Sequence, residues 1–341
     1  MVKQSVDESD SRPGVVEVIA PGRLHLGFLD MHGGLGRNFG SLGVCLSEIR
    51  IHLSARRCRD IVIQGPSSHR VSLYAGRILE HLGIADGAEI HVHESIQEHA
   101  GLGSGTQLSL AVGTALARLY GQKIPVIEIA RVMERGTRSG IGVGAFLQGG
   151  FLVDGGRGLE TEVPPIICRQ DFPEAWRFLL VLDNDLQGMH GPNESEVFRC
   201  LPPMSPEQAG HLSRLTLMQL LPALVEKDCD CFGKTLTEIQ AVVGDHFSRA
   251  QGGRYCSTTV GEVLSWLDAN GAAGTGQSSW GPTGFGLFAN ETQAYSALKQ
   301  AREKWGSLKN INFRICKAQN HKAEIRYTDA AENKTANLKT I

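Results

Sequence analysis

None of the eight cysteines forms a Cys-x-x-Cys pair, and the nearest two, Cys229 and Cys231, are separated by one residue. That spacing gives neither a structural zinc site nor a redox dithiol. Reduced thiols, and hence a cytoplasmic setting, are the expectation. Charge of one sign is not in excess either: Lys and Arg total 34, Asp and Glu 36, for a formal net charge of −2. Such a balance lacks the electrostatic footprint of a dedicated nucleic-acid binder. Residues 101–117 form an uncharged, largely apolar stretch, and its length and its Ser, Thr and Gln make it too short and too polar to cross a bilayer. The first 13 residues are polar, without the apolar core of a secretory signal. No membrane partner is expected.

Glycine, by contrast, is abundant at 41 of 341 residues. With only 13 prolines and no Gly-X-Y period, the excess is not collagen-like and must sit in particular loops. Length and mix suit two globular domains. Strands are expected at 15–20, 24–30, 49–54, 61–63, 88–93 and 149–154. Between them, Val71, Tyr74, Ala75, Ile78, Leu79 and Leu82 fall at helical spacing after Ser67 or Ser68 and before Gly83. Residues 106–120 read as a helix apolar on nearly all sides, which belongs in a core, and Pro125 opens another. Residues 161–174, with three prolines, read as a linker.

Beyond the linker the expected order is a strand at 177–183, helices at 194–201, 206–226, 231–247 and 260–270, a Gly-rich hairpin, a strand at 284–289, a helix at 292–305 and a strand at 311–317. That is a split βαβ pattern with insertions. The division is a flexible N-terminus 1–14, a first domain 15–165, a second domain 175–320 and a polar tail 321–341.

Three segments carry candidate chemistry. In His99-Ala-Gly-Leu-Gly-Ser-Gly-Thr106, Gly101, Gly103 and Gly105 let backbone approach a ligand ahead of a helix start. Free amides and the dipole there favour an anion such as a phosphate, and Ser104 and Thr106 add hydroxyls. It is neither a Walker loop nor a Rossmann fingerprint; the plain reading is a Gly-rich helix opening. Around Gly276, the residues Gln277, Ser278, Ser279 and Thr283 supply more polar donors than a turn requires, though glycine is the ordinary turn residue. In Pro21-Gly-Arg-Leu-His-Leu-Gly-Phe-Leu-Asp30, Arg23 and His25 share a strand face and Asp30 lies at its far end. His91 and His93 share another face, but without a third ligand they read as a surface pair, and no metal ligands are assigned.

These segments, in this order, resemble the GHMP kinase superfamily, named for galactokinase, homoserine kinase, mevalonate kinase and phosphomevalonate kinase. The likeness spans about residues 15–317 and centres on Gly101-Leu-Gly-Ser104. It implies an α+β fold with an N-terminal domain like ribosomal protein S5 domain 2 and a C-terminal ferredoxin-like domain. Two positions depart from many of the kinases: Gly105 replaces a serine that reaches the metal, and Gly142, in Ser139-Gly-Ile-Gly142, replaces an aspartate.

A nearer resemblance is to the β-ribofuranosylaminobenzene 5′-phosphate synthase family. It rests on Arg23–Asp30, Gly33-Gly-Leu-Gly-Arg37, 139–150, Gly188-Met-His-Gly-Pro-Asn-Glu194 and Ser278-Ser-Trp-Gly-Pro282. It implies that phosphoribosyl pyrophosphate joins 4-aminobenzoate or 4-hydroxybenzoate with release of CO2 and pyrophosphate, in tetrahydromethanopterin biosynthesis. On this resemblance the loop 101–106 takes pyrophosphate and the loop 274–283 the 5′-phosphate, the exchanged assignment being the alternative. Arg23, His25 and Arg37 meet the aromatic acid. Asp30 or Glu194 stabilises positive charge on the sugar or holds Mg2+, and His190 donates to the departing pyrophosphate. The alternatives are an ATP-dependent small-molecule kinase and a binding protein that kept the fold without catalysis. Oligomeric state is open, a homodimer being one arrangement allowed.

Overall fold

A computed structural model describes residues 14–189 and 191–328. The first domain is built on a seven-stranded sheet. Its elements are β1 (Val15–Asp30), β2 (Phe39–Cys58), β3 (Val62–Gln64), α1 (Ser68–His81), β4 (Gly87–Glu94), α2 (Ser104–Leu119), α3 (Val126–Val132), α4 (Ile141–Leu147), β5 (Phe151–Asp154) and β6 (Ile166–Gln170). The second comprises β7 (Arg177–Asp183), α5 (Gly191–Cys200), α6 (Pro206–Leu215), a π-helical turn (Thr216–Leu220), α7 (Leu221–Glu226), α8 (Cys229–Gln251) and α9 (Thr258–Ala269). It continues through β8 (Gly274–Gln277), β9 (Gly284–Phe288), α10 (Glu291–Trp305) and β10 (Ile311–Cys316). A last strand, β11 (Glu324–Thr328), returns to pair antiparallel with β1.

The second sheet runs β10-β7-β9-β8, all antiparallel. This is the order of two interleaved βαβ units, as the sequence pattern implies. The chain is α+β with the two-domain arrangement expected.

Several expected boundaries move for physical reasons. Residues 15–30 make one strand instead of two, because register shifts after Pro21 and after His25 absorb the Pro-Gly step. β2 begins ten residues before its expected start, through glycines, which weaken a strand. Gly43 is there for space: a Cβ would stand 2.2 Å from Ile141 Cγ2 and 2.9 Å from the Leu24 carbonyl oxygen. Part of the expected linker forms β6, which pairs with β5, and part of the expected tail forms β11. The helix expected over 206–226 is divided by the π-helical turn just before Pro222, whose missing N–H cannot continue the ladder.

The helix read as core is the core. Of the 16 residues of α2, Leu108, Leu110, Ala111, Val112 and Leu116 are among those at 1% exposure or less, packed against β1, β2 and α1. The expected face of α1 is also buried, at Val71, Tyr74, Ala75, Ile78 and Leu79.

One hydrophobic cluster runs through both domains, Phe151 of β5 meeting Phe232 of α8 at 5.8 Å between ring centroids. A buried polar link reinforces the junction. Gln240 of α8 donates to the Leu26 carbonyl at 2.7 Å and accepts from the Gln277 amide at 2.8 Å. The junction therefore holds β1 and β8 in fixed relation, and the site opens beside it. No helix among the described residues is long and apolar enough to cross a membrane.

Candidate active site

The loop before α2 is held by hydrogen bonds that reach across the domain junction. Arg23 donates from its amide to the Leu102 carbonyl at 3.1 Å and from Nη1 to the Gly101 carbonyl at 2.5 Å. Ser278 Oγ donates to the same Gly101 carbonyl at 2.7 Å and accepts from the His25 amide at 2.9 Å. Gly101 has φ +79° and a Cβ there would stand 2.4 Å from the Ser278 carbonyl oxygen, so both conformation and space require glycine. Gly103, at φ +86°, precedes α2, and no side chain caps the helix. The first-turn amides are thereby left for a ligand.

Those amides open on a cleft of about 440 Å³ between the domains. Gly103, Ser104, Gly105 and Thr106 form its floor. Arg23, Arg70 and Arg135 enter from three separate segments, and Gly188, Met189, Gly191 and Glu194, with Ser279, Trp280 and Gly281, close it from the second domain. The guanidinium groups converge on the loop. Arg23 Cζ lies 3.5 Å from the Cβ position of Gly103, while Arg70 Nη2 and Arg135 Nη1 lie 3.0 and 3.5 Å from that of Gly105. Arg70 pairs with Glu98 at 2.8 Å, and Arg135 Nη2 donates to the Tyr74 hydroxyl at 2.6 Å.

Burial pushes the Arg23 pKa down to about 10, against the attraction of Glu194, so it stays a cation at neutral pH. Glu194 lines the cleft with Oε1 taken by Arg138 at 2.9 Å and by Trp280 Nε1 at 3.1 Å.

The position where many of the kinases carry an aspartate lies against the same loop. A Cβ on Gly142 would stand 3.0 Å from Thr106 Cγ2, and the Gly142 carbonyl accepts from Gln107 Nε2 at 2.7 Å. The loop is thus packed onto bare backbone where a carboxylate is absent.

Other expected residues lie apart from this cleft. Gly276 is pressed on Gln240, where a Cβ would meet Cγ at 2.5 Å. Gln277 is spent on the Cys256 amide, Gln251 and the Ser279 carbonyl. Ser278 is fully buried between β1 and Gly101. Of that second loop's expected donors only Ser279 faces the cleft, because strand pairing and the contacts with α8 turn the other three inward.

His25 is buried beside Phe28 with neither ring nitrogen partnered among the described residues. It lines a closed cavity of about 20 Å³ behind Ser279 and Trp280, room for about one water. Burial, then the neighbouring Arg23, pushes its pKa down to about 3.

Asp30 and Arg37 sit on the β1–β2 connection, outside the cleft lining. Asp30 Oδ1 accepts from the amides of His32 and Gly33, and Arg37 donates to the carbonyls of Gly155 and Gly156, both at 2.7 Å. His190 lies outside the described residues. His93 packs its ring against those of both His91 and His52 on the sheet face. No group of three His, Cys, Asp or Glu side chains among the described residues is arranged to hold a metal.

Sequence reasoning passes over Arg70, Arg135 and Arg138. Arg70 adjoins the apolar face of α1, and Tyr74 counts there as plain core; nothing local links either to residue 105.

Residues 70–150 match the family of GHMP kinases N terminal domains, and residues 220–307 that of GHMP kinases C terminal domains. Among solved structures, a homoserine kinase from Cytophaga hutchinsonii shares the fold, with a TM-score of 0.60 at 18% identity over 96% of this chain and all of that one. Among characterised proteins, a β-ribofuranosylphenol 5′-phosphate synthase from Archaeoglobus fulgidus is 35% identical over 89% of this chain and 97% of its own length. One of the same name from Methanothermobacter thermautotrophicus is 32% identical over 79% of this chain and 88% of its own. On that shared length and identity, the chain belongs to the β-ribofuranosylphenol 5′-phosphate synthase family, within the GHMP kinase superfamily.

Proposed function

We propose that the protein joins phosphoribosyl pyrophosphate to a 4-substituted benzoate, 4-hydroxybenzoate in the first place, giving a C-riboside, CO2 and pyrophosphate. The relatives' name, with its phenol product, favours the hydroxy acid over 4-aminobenzoate. Tetrahydromethanopterin biosynthesis is the setting proposed with it.

In this reading the C1–O bond to pyrophosphate breaks, and positive charge builds on the ribose. The ring carbon bearing the carboxylate attacks C1, and the C–CO2 bond then returns its electron pair to the ring. No proton is gained or lost overall, so the reaction needs no strong base at the arene. Gly142 is the observation that carries the reading: many kinases of the superfamily use a carboxylate there to act on a hydroxyl, and this chain has bare backbone against Thr106.

The protein's part is to stabilise the departing anion with fixed donors. The amides of 103–106 and Arg23 are assigned to the diphosphate. Glu194 faces the side where charge builds on the sugar. Magnesium brings charge neutralisation to a diphosphate, taking most of its ligands from phosphate and water; Ser104 and Glu194 are the groups of the cleft that would hold it. His190 is proposed as donor to pyrophosphate, and Arg37, beyond the cleft lining, as an outer clamp for the acceptor's carboxylate; Asp30, outside the cleft with Oδ1 taken by two amides, is given no role in the reaction.

The test is an assay with carboxyl-labelled 4-hydroxybenzoate. Labelled CO2 released only when phosphoribosyl pyrophosphate is present supports the reading. Consumption of ATP with a small alcohol, and no CO2, would replace it with the kinase alternative.

A further inference from the structure

The proposed donor has two anionic groups, the diphosphate on C1 and the phosphate on C5, and the loop before α2 accounts for one of them. The second glycine loop is a poor source for the other, since Gln277 and Ser278 are buried with their polar groups spent and only Ser279 of its expected donors reaches the cleft. Yet the cleft carries more positive charge than its loop amides explain. Of its three arginines Arg70 is matched by a carboxylate, Glu98, while the carboxylate of the cleft, Glu194, is taken by Arg138 beside it. Arg23 and Arg135 have no carboxylate partner among the described residues, and the Nε of each is buried without a hydrogen bond.

The surplus falls at two places. Arg23 lies over Gly103, tied to the loop carbonyl of Gly101 and beside Ser279 and Trp280. Arg70 and Arg135 lie together over Gly105 on the opposite side, one from α1 and one from the chain after α3. Both are braced from behind: Arg135 by the Tyr74 hydroxyl and ring, with Cζ 5.6 Å from the ring centroid, and Arg70 by Glu98. Two planar guanidinium groups fixed side by side suit a phosphate monoester, which accepts parallel hydrogen bonds from each.

Residue 105 explains why the pair fits. Any side chain there would press on Arg70, whose Nη2 stands 3.0 Å from the Cβ position. The serine found at this place in many of the kinases has given up its room to a guanidinium.

We propose that Arg70 and Arg135 form a second anion site that holds the 5-phosphate of the phosphoribosyl donor, leaving the loop amides and Arg23 to the diphosphate. This rests on the functional reading above and adds to it the orientation of the donor. C1 then lies on the Arg23 and Trp280 side of the cleft, and C5 points toward α1.

Calorimetry with ribose 5-phosphate and inorganic pyrophosphate as separate probes tests the assignment. In Arg135→Met and Arg70→Met, ribose 5-phosphate affinity should fall tenfold or more while pyrophosphate affinity stays within about twofold. Arg135→Lys, which keeps charge but loses the fork, should fall between, and a melting temperature near the parent's separates binding loss from misfolding. Ser104→Ala should show the reverse pattern, weakening pyrophosphate alone. Equal loss of both probes in the arginine variants, or no loss of ribose 5-phosphate in either, would overturn the proposal. A wild-type protein that binds ribose 5-phosphate through these arginines yet releases no CO2 from the benzoate would keep the anion site and sink the acceptor chemistry.

Discussion

Gly142 and Thr106 stand so close that a methyl group on the first would lie 3.0 Å from Cγ2 of the second. The contact joins the start of α4 to the first turn of α2, the two places where a kinase of this superfamily would set its carboxylate and its phosphate loop. Installing the missing carboxylate should therefore damage the site without creating a kinase. In Gly142→Asp, donor-dependent CO2 release should drop by more than tenfold with no gain of ATP turnover. Gly142→Ala should cost about 1–3 kcal/mol of stability through overpacking, measured by urea unfolding.

Gly101 tests whether the loop must be held as it is. With φ +79° and the Ser278 carbonyl oxygen 2.4 Å from a Cβ, Gly101→Ala strains the backbone and pushes the loop away from the turn after β8. A stability loss of about 1–3 kcal/mol is expected, together with weakened pyrophosphate binding. Calorimetry on the folded variant would show it, and unchanged affinity would detach the loop's shape from its binding.

Donor and acceptor sides should separate kinetically. Ser104→Ala should raise KM for phosphoribosyl pyrophosphate by several-fold and leave that for the benzoate alone. Arg37→Ala should do the opposite. An Arg37→Ala protein with lower stability and unaltered kinetics would restrict Arg37 to bracing the Gly155 and Gly156 carbonyls.

His25 makes a prediction about acid. Its folded-state pKa of about 3 lies below the ordinary 6.5, so between those values the unfolded chain binds a proton that the folded one refuses. Stability should fall as pH drops through that window, by up to about 1.4 kcal/mol per unit from this group. His25→Phe should show a shallower fall than wild type in unfolding experiments from pH 7 to 4. Identical slopes would mean that the ring is not kept neutral by its burial.

Much of the fold was legible because its signals are local. The face of α1, the buried α2 and the Gly101–Ser104 turn are each written within about a dozen residues. What escaped was decided by contacts distant in sequence. The glycines of early β2 look like loop until Ile141 is placed against Gly43. Ser278 looks like a ligand donor until the Gly101 carbonyl takes its hydroxyl. Arg70 and Arg135 look like ordinary surface cations, and only the tertiary fold brings both over Gly105. Asp30 reads as the far end of the segment that carries Arg23, and Arg37 joins them only through the resemblance, but the register shifts in β1 and the turn after it put both outside the cleft lining.

The most direct measurement follows both leaving groups in one reaction. With phosphoribosyl pyrophosphate and carboxyl-labelled 4-hydroxybenzoate, pyrophosphate and CO2 should appear in equal amounts and at one rate, and mass spectrometry should find a ribosyl phenol phosphate. Pyrophosphate released without CO2, or ADP formed from ATP in its place, would contradict the account.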